Sequence, residues 1–413
     1  MTNFNRRNFV ILGTTAASIG GMGLGCARPT ATAEKGASSV KGECDPVFAL
    51  VREEFEKNFA SREELGAAVA VYKDGQKVVD LWGGVADPAT GKPWDKDTIV
   101  VMASVGKGVA AVCTLMCVDR GLIDLDERVA HYWPEFGQAG KENITVRTLM
   151  QAKAGVLYAD AAADGAIIDW NAMIKAIEVQ KPEWTPGEGH GYHSMTMGFL
   201  LGELVHRADG RMINTFLEEE IVKPLGVDYH WGLNDEQIAR AATFVPNPKS
   251  STKQMVADPT TKLYRAWHVN PKGVTANDEI SRRAVIPSSN GQGNARAIGR
   301  LYAALANGGS LDGVRLMSPE LVEVARTESW KGLCAMTDRD YRYGTGFFLN
   351  YPPNTPFGPN SRTFGHPGAG GAVGFADPEN GIAFSYSPNF MCEGAGLGDR
   401  CEALINATYG VRT

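Results

Sequence analysis

Thr98-Ile99-Val100-Val101-Met102-Ala103-Ser104-Val105-Gly106-Lys107 leads from a strand-like apolar run into an apolar stretch of helical length over 109–122. A serine and a lysine three apart at the start of a helix share one face. The lysine amine can therefore reach the serine hydroxyl and activate it. A helix N-terminus also leaves backbone N–H groups unpaired and carries partial positive charge. The same spacing recurs at Ser38–Lys41 and Ser250–Lys253. Ser38 lies in a small, polar stretch over 27–42. Ser250 ends Pro246-Asn247-Pro248-Lys249-Ser250, where two prolines break any helix. Neither precedes a periodic apolar helix. An ordinary N-cap is the competing reading of Ser104.

Two further segments weigh against that reading. Trp184 to Ser194 contains Gly189-His190-Gly191-Tyr192-His193-Ser194 and is followed by a helical pattern. A serine nucleophile needs a base, and a tyrosine beside an ammonium can serve, because the positive charge favours phenolate. Of the twelve tyrosines, only Tyr192 begins a Tyr-x-Ser/Asn triplet. A buried structural tyrosine is the alternative. The second segment is Phe364-Gly365-His366-Pro367-Gly368-Ala369-Gly370-Gly371. Glycines let backbone approach a ligand closely, and an N–H on such an edge can face an oxyanion. A tight glycine-rich turn is the alternative. The pattern is not G-x-G-x-x-G, and strand rather than helix follows it, so a nucleotide loop is excluded.

The flanking sequence supplies the architecture. The runs 67–72 and 78–82 surround Asp74-Gly75 and predict a β-hairpin. Helical periodicity covers 145–152, 167–179, 195–208, 213–222 and 295–307. Strand signals return at 344–350, 371–375 and 381–387, and 402–409 reads as a closing helix. The expected fold class is α/β: an antiparallel sheet built from both termini, flanked by helices, with a mostly helical inserted domain. The expected boundaries are 44–124 and 321–413 for the α/β domain and 125–320 for the helical domain.

Composition restricts the partners. The 413 residues carry a formal net charge of −6 and no basic cluster, which argues against nucleic acid. Arg6-Arg7 precede Phe9-Val10-Ile11-Leu12, as in a twin-arginine export signal. Five glycines between Gly13 and Gly25 make this a poor membrane helix. The expectation is an export signal over 1–33, ending at Ala31-Thr32-Ala33, a linker over 34–43 and a periplasmic location. Gly23-Leu24-Gly25-Cys26 offers a lipid anchor at Cys26 as the alternative. Cys392 and Cys401 flank a short loop that an oxidising compartment would allow to close as a disulfide; free thiols are the other reading. Cys113 and Cys117, four apart in an apolar helical stretch, are expected to pack. His190 and His193 lack a third ligand nearby in sequence, so neither a metal nor a cofactor is expected.

Ser-x-x-Lys, Tyr-x-Ser and His-x-Gly, in that order, resemble the serine β-lactamase and penicillin-binding protein superfamily, class C-like enzymes and family VIII carboxylesterases above all. The resemblance extends over roughly residues 45–410 and includes Asp80-Leu-Trp-Gly-Gly-Val-Ala-Asp87, His131-Tyr-Trp-Pro-Glu-Phe136, Asn290-Gly-Gln-Gly-Asn-Ala-Arg296 and Leu311-Asp-Gly-Val-Arg-Leu316. It implies a β-lactamase/transpeptidase-like fold and a serine hydrolase acting on a small-molecule ester. Ser104 would be the nucleophile, with Lys107 and Tyr192 as its activating pair. The backbone N–H groups of Ser104 and Ala369 would form the oxyanion hole. Ser194, His366 and Gly368 would bind substrate. His366-Pro367-Gly368 stands where a β-lactamase has Lys-Thr-Gly, and Ser194 stands where it has Asn. Both departures reduce the expected fixed charge for an anionic substrate and favour esters. A β-lactamase or D-alanyl peptidase-type hydrolase is the alternative, and a catalytically silent binding protein a third. Gln151 and Ala152 occupy positions where relatives usually carry Ser-His, which raises the question of packing near the site entrance.

Overall fold

The computed structural model describes residues 40–394 and 396–412. The expected export signal, its Cys26 alternative and most of the expected linker lie outside the described residues. The linker's last residues are not a linker: Lys41–Cys44 is an edge strand, with Lys41 opposite Trp82 and Cys44 opposite Val79. Edge pairing uses backbone groups, so a polar stretch without β-rich side chains can still join a sheet.

The expected hairpin forms, with strands Gly66–Lys73 and Gln76–Asp87. It lies next to one edge of a sheet whose neighbours all pair antiparallel. From one edge the strands are Lys41–Cys44, Gln76–Asp87, Gly66–Lys73, Ile382–Pro388, Val373–Asp377, Phe364–Pro367, Phe348–Leu349, Asp340–Tyr343 and Trp330–Leu333. The join between N- and C-terminal parts is the pairing of Val71 with Phe384 and Val69 with Tyr386. The sheet is therefore built from both termini, as expected.

Helices cover both faces. Successive side chains on a strand point to opposite sides. Tyr72 reaches the helix Ala295–Ala306, donating from its hydroxyl to the Arg296 carbonyl at 3.3 Å. Tyr386 points the other way and donates to Glu64, which also accepts from Arg400 Nη1 at 2.8 Å on the closing helix Gly398–Thr408. The helix Ala49–Ser61 packs against that closing helix, with Asn58 donating to the Arg400 carbonyl at 3.2 Å. Because Ala295–Ala306 lies on the sheet, the sheet layer draws one of its covers from the stretch 125–320 expected to be a separate helical domain. Periodicity marks a helix but does not say which layer its apolar stripe meets.

The helix Val105–Asp119 is buried from Val105 through Cys117 and packs on Thr196–Asp209. A helix apolar on every face belongs in the interior, and Cys113 and Cys117 are packing residues there. The strand-like run before it does not join the main sheet. Val100–Val101 pairs with Gln292–Gly293, which also pairs with Tyr229–His230. Cys392 and Cys401 are buried free thiols.

Candidate active site

The turn before the central helix is strained. Ala103 adopts φ +47°, a left-handed conformation that costs a non-glycine residue roughly 1–3 kcal/mol. Backbone bonds on either side hold it: the Met102 N–H donates to Gly291 O at 2.9 Å, and Val105 N–H donates to Met102 O at 3.1 Å. Ser104 follows, and its side chain makes no capping hydrogen bond. That removes the ordinary N-cap reading. Its Oγ instead accepts from Lys107 Nζ at 2.8 Å.

Lys107 is 1% exposed and makes no ion pair among the described residues. Burial holds its amine well below the usual lysine range. Its second partner is the Ser288 carbonyl, at 2.6 Å. Ser288 is a residue that sequence reasoning missed. Its hydroxyl donates to Met195 O at 2.6 Å and accepts from Gly198 N–H at 2.7 Å, locking the turn between the two packed helices. The signal was Gly106 within the Ser-x-x-Lys stretch. A Cβ there would stand 2.4 Å from Pro287 O, so only glycine lets this turn approach the lysine.

Tyr192 lies within hydrogen-bonding reach of Ser104, and its ring centroid is 4.9 Å from Lys107 Nζ. Burial pushes its phenol well above the ordinary value, against a smaller opposing effect of the bond to Ser104. The phenol is therefore protonated at neutral pH, and Lys107 is the depressed member of the pair. Burial thus shifts the phenol away from the phenolate that the sequence suggested an ammonium would favour.

The Tyr192 loop rests on the segment that departs from its relatives. The Gly191 N–H donates to Ala152 O at 3.0 Å, and Trp330 Nε1 to Gln151 O at 2.7 Å. These contacts use backbone carbonyls and so do not depend on the side chains at 151 and 152, of which Ala152 is buried at φ +56°. His193 bonds through Nδ1 to Gly191 O at 2.8 Å, and His190 stacks on Trp330 at 4.2 Å. Both serve the loop.

The third expected segment meets the first. A Cβ on Gly368 would stand 2.3 Å from Met102 O, so the strand end Phe364–Pro367 passes the turn before Ser104 at a distance only glycine permits. The backbone N–H groups of Ser104 and Ala369 donate to no acceptor among the described residues. His366 is fully buried and donates from Nδ1 to Pro367 O at 2.7 Å, leaving Nε2 bare. Burial, reinforced by nearby Lys107, lowers its pKa to about 3, so the ring is neutral at pH 7.

Ser104, Tyr192, Ser194, His366, Gly368 and Ala369 line one cavity of about 490 Å³. Lys107 stands behind Ser104. One side of the cavity is apolar, with Phe244, Met255, Val256, Leu263, Trp267 and Met391. The sequence offered no spacing that would join these to the site, because they come from loops and from the short helices Ser251–Ala257 and Lys262–Trp267. The lining also includes Arg339 and Lys253 and no Asp or Glu among the described residues. Losing Lys-Thr-Gly has not left the cavity without fixed positive charge; that charge comes from elsewhere in the chain.

The fold is shared with known proteins. The family model described as Beta-lactamase matches residues 51–399. Esterase/beta-lactamase LipL of Mycobacterium tuberculosis is 34% identical over 376 residues, covering 87% of this chain and 86% of that protein. The crystal structure of a family VIII carboxylesterase superimposes with a TM-score of 0.82 at 35% identity, over 90% of this chain and 99% of the other. A penicillin-binding protein homologue from Caulobacter crescentus gives 0.80 at 37% identity over the same shares. With this sheet and a family match over most of its length, the chain belongs to the β-lactamase family.

Proposed function

We propose that the protein hydrolyses carboxylic esters through an acyl-enzyme on Ser104. The observation that carries this reading is the 2.8 Å contact between Ser104 Oγ and a lysine amine that is buried without an ion pair. Neutral Lys107 takes the Ser104 proton as Oγ attacks the ester carbonyl carbon. The backbone N–H groups of Ser104 and Ala369 receive the developing oxyanion. Tyr192, protonated and beside both residues, relays the proton to the departing alkoxide as the C–O bond breaks. Water then attacks the acyl-enzyme, giving its proton back through Tyr192 and Lys107 and releasing the acid and Ser104. Ser194, His366 and Gly368 shape the substrate's approach.

An ester is preferred over a β-lactam because neutral His366 and Pro367, which has no side-chain donor, stand where a β-lactamase has Lys-Thr, so the cavity's fixed charge lies at Arg339 and Lys253 rather than at that position. Ser104→Ala should abolish hydrolysis of 4-nitrophenyl butyrate while the melting curve is retained. Full retained activity sinks the assignment. A wild-type enzyme that turns over a chromogenic cephalosporin faster than any ester would move it to the β-lactamase alternative. We also propose that residues 1–33 direct export, with a lipid anchor at Cys26 as the competing processing route. Intact mass of protein recovered from the periplasm separates the two.

A further inference from the structure

The fixed charges in the cavity do not belong to the motifs that define the site. In a chain of net charge −6, the cavity wall carries Arg339 and Lys253 and no carboxylate among the described residues. Arg339 stands in the turn between strands Trp330–Leu333 and Asp340–Tyr343, half-buried, with its carbonyl accepting from Cys334 N–H at 2.8 Å. It forms no ion pair among the described residues. The adjacent acids do not neutralise it: Asp338 is taken by Lys262 at 2.7 Å, and Asp340 is exposed. The neighbours of Arg339 are polar. Its side chain and that of Thr337 both approach the Tyr341 hydroxyl, and Thr337 Oγ1 is buried.

This corner is continuous with the reacting centre. Tyr341 packs on Phe348 with ring centroids 4.9 Å apart, and Phe348 packs on Tyr192 at 5.6 Å. Part of the cavity's apolar lining, Phe244 and Met391, approaches Gly370 beyond Ala369, and the helix carrying Leu263 and Trp267 meets the Arg339 turn through the Lys262–Asp338 pair. Ser104 thus faces a cavity with an apolar side and a cationic corner. A guanidinium in a partly desolvated wall, with a buried hydroxyl beside it, matches a carboxylate better than a neutral group.

We propose that the substrate is an ester bearing a free carboxylate, on either its acyl or its alcohol half, and that Arg339 binds that carboxylate with Thr337 as a second donor. The inference rests on the ester-hydrolase reading of the same site. Lys253, exposed at the rim, adds to the attraction of an anion toward the cavity.

The test compares 4-nitrophenyl hemiglutarate with 4-nitrophenyl butyrate, and 4-acetoxybenzoate with phenyl acetate. The first pair puts the carboxylate on the acyl half, the second on the alcohol half. One pair should show a higher kcat/KM for the anionic member in wild type. In Arg339→Met the anionic-to-neutral ratio for that pair should fall about 10- to 100-fold, mainly through KM, and Arg339→Lys should restore part of it. High salt should lower the same ratio in wild type. A wild type with no anionic preference in either pair overturns the inference, as does an equal fall for both members of the preferred pair. Binding to Ser104→Ala, followed by calorimetry, separates this from the parent reading and needs no Arg339 variant. If Ser104→Ala binds neither anionic compound more tightly than its neutral counterpart, the carboxylate site is wrong even where ester hydrolysis stands. If it does so while wild type cleaves no ester, the carboxylate site stands and the ester reading is wrong.

Discussion

Lys107 Nζ lies 2.8 Å from Ser104 Oγ in a setting where burial is not offset by any carboxylate. The pair is three residues apart on one helical turn, yet its chemistry is set by what surrounds it. The amine reaches its other acceptor, the Ser288 carbonyl, only because the chain returns there 181 residues later.

The pH dependence of stability should reveal the neutral amine. A lysine whose folded pKa is depressed binds fewer protons folded than unfolded, so its contribution to stability rises with pH toward the unfolded value of 10.5. The stability of wild type relative to Lys107→Met should therefore shift in favour of wild type as pH rises from 7 to 10. Urea unfolding at a series of pH values measures the difference. A constant difference would mean that Lys107 is charged in the folded protein. The same variant should lose about 100-fold or more of kcat.

The buried histidines act at lower pH. His193, at about 4, and His366, at about 3, both lie below the ordinary histidine value of 6.5 because burial disfavours the charged ring. Each is more protonated unfolded than folded between its depressed value and 6.5, so stability should fall as pH drops through that window. For His193 the slope is at most about 1.4 kcal/mol per pH unit. His193→Asn should flatten the loss of stability between pH 6.5 and 4.5 in chemical denaturation.

Gly368→Ala should separate the nucleophile turn from the strand beside it. The added Cβ meets Met102 O at 2.3 Å, and backbone on both sides must move. The expected loss is about 1–3 kcal/mol of stability. A fall of about 10-fold or more in kcat should accompany it, because the Ala369 N–H is displaced from the developing oxyanion. Melting curves and single-turnover acylation together check it.

The apolar side of the cavity should govern chain-length preference. Trp267 lines it from the short helix Lys262–Trp267. Trp267→Ala should raise KM for 4-nitrophenyl octanoate about 5-fold or more relative to the acetate ester, since each buried methylene contributes about 0.8 kcal/mol. Equal changes for both esters would place Trp267 outside the acyl path.

The parts legible in the sequence are those written in local patterns. The hairpin around Asp74-Gly75, the buried helix after Lys107 and the long helices Thr196–Asp209 and Ala295–Ala306 follow from periodicity and turn chemistry. The edge strand Lys41–Cys44 did not, because it is held by backbone pairing to Trp82 and its neighbours rather than by its own side chains.

For the site, the sequence by itself marked the candidate groups: a serine and lysine on one helical turn, a single Tyr-x-Ser triplet and a glycine-rich strand end. Helical spacing and residue chemistry suffice for that. Tertiary structure alone decided the direction of their pKa shifts, because burial lowers the Lys107 amine and raises the Tyr192 phenol. It also decided the charge of the cavity. Losing Lys-Thr-Gly read as losing positive charge, but Arg339 and Lys253 reach the same cavity from segments distant in sequence. Electrostatics depends on distance and burial in space, and neither is a property of spacing along the chain.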